Sequence, residues 1–172
     1  MKGIRYRSQE AIAHVETYKA LGASPVTIDV ANTMTSLQTG VVDGFDNTPL
    51  FAMATVWYQG LDDGERYLTM TMHSYQPGIV VYSKKWFDKL PKDIQKVLTT
   101  VPYDLTVSGR TQVRKMEPVL MKNLKRYGYE VHTPTASERA AFKAKEKNVP
   151  DQVAKKVGAD GQALLKAVRN AL

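Results

Sequence analysis

The chain has 172 residues, of which 43% are hydrophobic, and its formal net charge is +7 at pH 7. This length is sufficient for one sizeable domain, and the composition is that of a globular protein rather than a disordered chain. The absence of cysteine excludes disulfides, thiolate catalysis and cysteine-based metal sites, and no apolar run approaches the ~20 residues of a membrane-spanning helix.

The positive charge is concentrated in the second half of the chain. Residues 1–82 contain 5 Lys and Arg against 8 Asp and Glu, a net charge of −3, whereas residues 83–172 contain 19 against 9, a net charge of +10. A basic half is compatible with nucleic-acid binding through residues 110–156. The lysines there alternate with alanines and acidic residues, as in SERAAFKAKEKNV, which is typical of solvent-exposed helix faces. The pattern therefore favours exposed helices over a nucleic-acid partner.

The first half of the chain alternates short strand-like and helix-like segments. Strands are predicted at 3–7, 25–30 and 41–45, where β-branched and apolar residues are enriched. A helix is predicted after each strand: one from an N-cap at Ser8 to Gly22, one over 32–40, and one over 47–60. This alternation predicts an α/β unit with right-handed crossovers.

The second half of the chain is predicted to be mainly helical. Extended segments are expected at 66–73 and 77–83, and Ser83 is expected to begin a short helix. A long helical pattern starts at Pro91, is broken by Pro102 and resumes as far as Gly128. The remaining segments are a strand at 129–133 followed by helices over 136–148, 150–157 and 160–171.

Two polar residues lie where parallel strands of an α/β sheet would end. Arg7 closes the first predicted strand, and Asn47 stands at a later strand-to-helix junction. Ligands of open α/β sheets bind at this edge, and a guanidinium matches the two oxygens of a carboxylate. The alternative is that Arg7 is a surface charge and that Asn47 only caps the following helix.

Motifs for catalysis, phosphate binding and metal binding are missing from the sequence. His14, His73 and His132 are widely separated and have no metal-ligand spacing, so no metal or cofactor is predicted. An enzyme acting on an organic acid remains an alternative. In it Arg7 would anchor the substrate carboxylate, and Asp43 or Asp46 would be the base.

Four segments of the chain, in order, resemble one protein family. They are Arg7 at the end of GIRYR, ALGASP at 20–25, SLQTGVVDGFDNTP at 36–49 and SKKWFDKLPKDIQ at 83–95. Together they resemble the TRAP transporter extracytoplasmic solute-binding proteins, the DctP-like family. The resemblance covers most of residues 3–128 and, more loosely, the remainder.

The resemblance implies a fold, a function and a set of site residues. The fold is α/β, the type II periplasmic-binding-protein fold with three α/β/α layers, here incomplete. The function is binding of a small organic carboxylate and its delivery to the TRAP membrane permease, in the periplasm and without chemistry. Arg7 would pair with the ligand carboxylate and Asn47 would orient the pair. Val30, where the family often has an aromatic residue, and Tyr75, with Gln76 beside it, would line the pocket.

The resemblance also implies a domain division. Residues 1–83 correspond to the second, ligand-binding domain of a two-domain receptor, and residues 84–172 to a long interdomain helix with C-terminal helices. These helices would pack partly on a first domain that, with the signal peptide, is expected to be absent from this chain. Exposed apolar surface would follow, which predicts self-association, with helices exchanged between two copies as one form of it.

Overall fold

A computed structural model of the chain describes residues 1–62, 64 and 66–171. Its centre is a parallel sheet in which strand β1 lies between β2 and β3. The strands span Arg5–Ser8 in β1, Ser24–Thr27 in β2 and Gly44–Phe45 in β3. Because each strand is followed by a helix that returns the chain to the same end of the sheet, all three strands can run in one direction.

Helices cover both faces of this sheet. On one face lies α1, where the ring of Tyr18 is 4.4 Å from that of Tyr6 in β1. On the other face a core of Leu37, Val42 and Trp57 is buried. The elements concerned are α1 (Ile12–Ala20), α2 (Val30–Gln38), α3 (Pro49–Ala54) and a 3₁₀ turn (Trp57–Gln59). The predicted α/β fold with three layers is therefore confirmed.

A second, two-stranded parallel sheet joins distant parts of the chain. Strand β4 (Tyr67–Thr69) pairs with β5 (Glu130–His132), which gives the predicted strand at 129–133 its partner. Beside this sheet the Tyr129 hydroxyl donates a 2.7 Å hydrogen bond to the carbonyl of Tyr58, and both residues pack with Leu124.

The remaining chain is helical, and its last helices pack on the first sheet unit. Helix α8 lies against α1, where Lys156 Nζ donates a 2.9 Å hydrogen bond to Glu16, and α9 packs on α8 through a bidentate pair from Arg169 to Asp151. These helices are α4 (Lys84–Phe87), α5 (Lys92–Thr99), α6 (Tyr103–Arg126), α7 (Ala136–Glu146), α8 (Val149–Val157) and α9 (Ala159–Asn170).

Prolines and glycines mark several helix ends as predicted, but one predicted cap is wrong. Helix α5 ends and α6 begins around Pro102, and Gly128 follows α6 with a φ of +84°. Ser8 does not cap α1, because it is the last residue of β1 and is fully buried, with its hydroxyl donating to the carbonyl of Gln9. Helix α1 begins only at Ile12.

The segment between β4 and α4 has no regular structure and is followed by exposed apolar helices. Residues 70–83, all of them described, contain no helix or strand, although an extended segment was expected at 77–83. Val80 is 82% exposed and Val97 in α5 is 69% exposed. We call the exposed apolar side chains between residues 79 and 107 the apolar face. That the helices of residues 84–172 pack partly on a separate domain stays a prediction.

In the part of the chain that the structure describes, no helix is both long enough and apolar enough to cross a membrane.

Gly60 provides a test of the packing between the 3₁₀ turn and α2. A Cβ added at Gly60 would lie 2.8 Å from the Cβ of Leu37 and 3.2 Å from the Trp57 carbonyl. We expect Gly60→Ala to lower the free energy of unfolding by about 1–3 kcal/mol, as overpacked cores do, measured by urea denaturation. The control is Gly109→Ala in α6, where a Cβ meets no atom within 4 Å, and this variant should be neutral or stabilised. Equal stability of the two variants would contradict this packing.

Candidate functional site

The candidate site lies at the carboxyl edge of the three-stranded sheet. Arg7 is at the end of β1, Asp29 and Val30 follow β2, and Asn47 follows β3. The parallel pairing brings these three strand ends side by side, since Arg7 is in register with Val26 and Phe45. This is the edge at which open α/β sheets bind ligands.

Arg7 is a buried cation held by the sheet. It is 2% exposed, and its Nε donates a 2.9 Å hydrogen bond to the carbonyl of Ile28. Its Cζ lies 5.0 Å from the centre of the Trp57 ring, a distance typical of a cation–π contact. Alternation along β1 sends Tyr6 to the α1 face and Arg7 to the Trp57 face. Arg7 is therefore not a surface charge.

One donor group of this arginine has no partner. The Arg7 Nη1 is buried and makes no hydrogen bond to any residue that the structure describes. Burial lowers the pKa of Arg7, while the carboxylates of Asp46 and Asp29 act in the opposite direction. A guanidinium remains protonated at physiological pH in proteins, so the unpaired group is a charged donor. Such a donor is matched by an anion.

The side chain of Asn47 is held beside the cleft by the backbone of the next residue, Thr48. Its Oδ1 accepts a 2.8 Å hydrogen bond from the N–H of Thr48, which leaves the two N–H donors of the amide for other partners. Thr48, not Asn47, is the N-cap of α3, because the Thr48 hydroxyl accepts from the N–H of Phe51. The capping role considered for Asn47 is therefore wrong. In the described part of the chain, no hydrogen bond joins Asn47 to Arg7.

An open cleft of about 380 Å³ collects three of the four predicted site residues. Arg7, Val30 and Asn47 all line it, whereas Tyr75 does not and is 75% exposed. The next residue, Gln76, lines the cleft in its place. The sequence reasoning missed the other lining residues, which are Gln9, Glu10, Ile28, Asp29 and Phe51. Most of these residues follow the end of β1 or of β2 in the sequence, and this position is the signal that could have identified them.

Behind the cleft, a buried carboxylate sits between two histidines. Asp46 is 7% exposed, and its Oδ2 lies 3.3 Å from Nδ1 of His14 in α1 and 3.6 Å from Nε2 of His73. His73 belongs to the irregular segment after β4, and its Nδ1 is 2.7 Å from the Thr71 hydroxyl. Sequence reasoning treated both histidines as isolated, because residues far apart in the chain leave no local pattern.

The carboxylate oxygens of Asp46 make no hydrogen bond to the residues that the structure describes, so in this histidine cluster the carboxylate and the two imidazoles act on one another mainly through their charges. Burial of the Asp46 carboxyl alone favours the neutral acid, but His14 and His73 outweigh it and hold the pKa of Asp46 below its usual value. The Asp46 carboxylate in turn raises the pKa of His73, against the effect of burial. Burial raises the pKa of Glu146, and the charge of Glu146 adds to the rise in the pKa of His73. The cluster ties α1, β3 and the segment after β4 together.

The two aspartates considered as catalytic bases lie outside the cleft. Asp43 is paired with Arg5, which lies two residues before Arg7 on β1, and both side chains of the pair are exposed. Asp46 is held ionised by the histidines, and neither residue lines the cleft. A general base working near neutral pH needs a raised pKa and access to substrate. The enzyme alternative therefore loses both carboxylates on which it depended.

Among the described residues, no group of three or more His, Asp or Glu side chains is arranged to hold a metal ion. The third histidine, His132, pairs with Glu138 at 3.2 Å on an exposed surface.

The fold and the site define this chain as a parallel α/β unit with an open cleft, lined by an arginine, at the carboxyl edge of its sheet. The family model described as "Bacterial extracellular solute-binding protein, family 7", DctP, matches residues 1–156. The chain belongs to this family, and the resemblance found in the sequence is confirmed.

Curated relatives and a solved structure agree with this assignment. The chain is 29% identical over 166 residues to the C4-dicarboxylate-binding periplasmic protein DctP of Rhodobacter capsulatus, covering 96% of this chain and 49% of the relative. It is 28% identical over 169 residues to the 2,3-diketo-L-gulonate-binding periplasmic protein YiaO of Escherichia coli, covering 98% and 49%. The chain thus spans about half the length of these relatives.

The fold is that of TRAP periplasmic solute-binding proteins. A crystal structure of one from Desulfovibrio salexigens, with bound orotic acid, superposes with a TM-score of 0.87 at 23% identity. The match covers 98% of this chain and 53% of that structure. At this level of identity the superposition establishes the fold alone.

The pairing of His73 with Asp46 predicts how the free energy of unfolding depends on pH. A histidine whose pKa is raised in the native state stabilises it fully below the unfolded pKa of about 6.5, and this contribution is lost as pH rises through the native pKa. We therefore expect the free energy of unfolding to fall less between pH 6 and pH 8 in His73→Gln than in the wild type, measured by urea denaturation. His132→Gln, at an exposed pair, should keep the wild-type dependence. An unchanged pH dependence in His73→Gln would contradict the role of the cluster.

Proposed function

We propose that this chain forms part of a periplasmic receptor that binds the carboxylate of a small organic acid through Arg7 and delivers the acid to a TRAP membrane permease. The observation that supports this most directly is that Arg7 lines the cleft and that its buried Nη1 has no hydrogen-bond partner among the described residues. Leaving a buried donor unsatisfied costs roughly 1–3 kcal/mol, and more when it is charged. A ligand carboxylate would supply the missing acceptor.

The surroundings of Arg7 prepare it for this role. Its Nε is occupied by the carbonyl of Ile28 and its plane is supported by Trp57, so the guanidinium is already ordered before a ligand arrives. Ordering in advance reduces the entropy cost of binding. The free N–H donors of Asn47, on the same cleft, would add hydrogen bonds to a ligand oxygen.

The relatives support the chemical class of the ligand and the compartment. The names of the two curated relatives specify a C4-dicarboxylate and 2,3-diketo-L-gulonate, and both proteins are called periplasmic. The bound ligand of the Desulfovibrio salexigens structure is orotic acid. All three ligands carry a carboxylate, the group that Arg7 would bind. Delivery to a permease, rather than catalysis, is consistent with the position of Asp43 and Asp46 outside the cleft.

Arg7 can be tested against its near neighbour on the same strand. We expect organic acids that raise the melting temperature of the wild-type chain to lose this effect in Arg7→Ala and to keep only part of it in Arg7→Lys, because lysine retains the charge but not the two parallel donors. Arg5→Ala is the matched control, since Arg5 pairs with Asp43 at the surface. Full ligand stabilisation in a folded Arg7→Ala variant would overturn the assignment.

We also propose that the apolar face associates with a second copy of the chain. Ile79, Val80 and Val97 are each more than two-thirds exposed, a concentration of apolar surface that folded monomers rarely carry. Burying such side chains in a symmetric contact would remove them from water.

Sedimentation velocity over a range of concentrations tests this association. The wild-type chain is expected to form dimers or larger species, and Val80→Lys combined with Val97→Lys is expected to shift it towards monomer. Gln152→Lys with Ala163→Lys adds the same charge to exposed positions on α8 and α9 and should not change the association. A wild-type chain that stays monomeric at all concentrations would contradict the proposal.

A further inference from the structure

The charges lining the cleft are unequal, and they restrict the ligand further than the presence of Arg7 does. Among the described residues that line it, Arg7 carries the one positive charge, whereas Glu10 and Asp29 carry two negative charges. Both acids are exposed, and the Asp29 side chain makes no capping bond to α2 although it occupies the N-cap position. The Asp29 carboxylate is therefore not used to cap α2, and both negative charges are exposed at the cleft.

From this arrangement we propose that the ligand is a monocarboxylic acid with uncharged polar groups, and that Glu10 and Asp29 discriminate against a second carboxylate. The inference rests on the proposed function, because it takes Arg7 as the carboxylate anchor. A first carboxylate is attracted by the guanidinium. A second carboxylate in the same cleft would meet no further cation on this wall and would be repelled by two like charges.

The neutral lining residues agree with this chemistry. Gln9, Asn47 and Gln76 bring three primary amides to the cleft, and each amide can both donate and accept hydrogen bonds. Such groups suit hydroxyl, carbonyl or amide substituents on the ligand. They do not compensate the charge of a carboxylate as well as a guanidinium does.

Matched pairs of acids provide the probes. Succinate and succinamate have the same length and differ in one terminal group, which is a carboxylate in the first and a neutral amide in the second. Galactarate and galactonate form a second, longer pair of a diacid and a monoacid with hydroxyl groups. Dissociation constants of the 172-residue chain for all four are measured by calorimetry at low salt, where charge effects are least screened.

We expect each monoacid to bind about tenfold more tightly than its diacid, the size of effect given by like charges several ångströms apart near a protein surface. In the double variant Glu10→Gln/Asp29→Asn the diacids should gain about tenfold in affinity, while the monoacids gain less. The control Glu117→Gln/Asp160→Asn removes two exposed acids from α6 and α9 with the same change in net charge, and should leave the ratio unchanged.

The possible failures are distinguishable. Diacids that bind as tightly as monoacids, in a manner lost in Arg7→Ala, would overturn this inference and leave the proposed function standing. An equal gain in the control double variant would also overturn it, because the effect would then reflect net charge alone. Absence of any Arg7-dependent binding across the four acids would overturn the proposed function and this inference with it.

Discussion

The structure of the site depends on one buried guanidinium at the end of the central strand. Arg7 can be buried there because its Nε finds the Ile28 carbonyl and its face finds the Trp57 ring, which together replace part of the hydration that it loses. Ile28 directly follows β2, and Trp57 belongs to the 3₁₀ turn on the face of the sheet opposite α1. The arginine therefore helps to hold β1, the end of β2 and the 3₁₀ turn in one arrangement, while one of its donors stays unused.

The two residues that follow β3 differ in role, since one supports the fold and the other lines the cleft. Asp46 turns towards α1 and is held between two histidines, while the next residue, Asn47, lines the cleft. A carboxylate buried without such partners would cost several kcal/mol. Because the imidazoles of His14 and His73 offset this cost, Asp46 anchors the strand end from which Asn47 is presented. The histidine cluster and the cleft therefore meet at the junction between β3 and α3.

Local patterns in the sequence predicted the elements, and strand ends predicted the centre of the site. Alternating segments, prolines and glycines were sufficient for the α/β unit and for the helices after Pro91, whereas the three layers were expected from the family resemblance. Arg7 and Asn47, which were expected at strand ends, line the same cleft, and their role in binding stays a prediction. Pairings between distant residues could not be predicted in the same way, since β4 meets β5 and Asp46 meets His73 only through the tertiary fold. Ser8 was misassigned because a serine that suits an N-cap by type is here buried inside a strand.

The contact of His73 with Asp46 also has a consequence for the position of Gln76. In residues 70–83, Met70 N–H still donates a 2.9 Å hydrogen bond to the His132 carbonyl of β5, His73 contacts Asp46 of the sheet unit, and Gln76 lines the cleft three positions further along. Three residues span at most about 10–11 Å of extended chain. Gln76 is therefore tethered within this distance of a residue that contacts the sheet unit, which limits how far this side of the cleft can lie from the sheet.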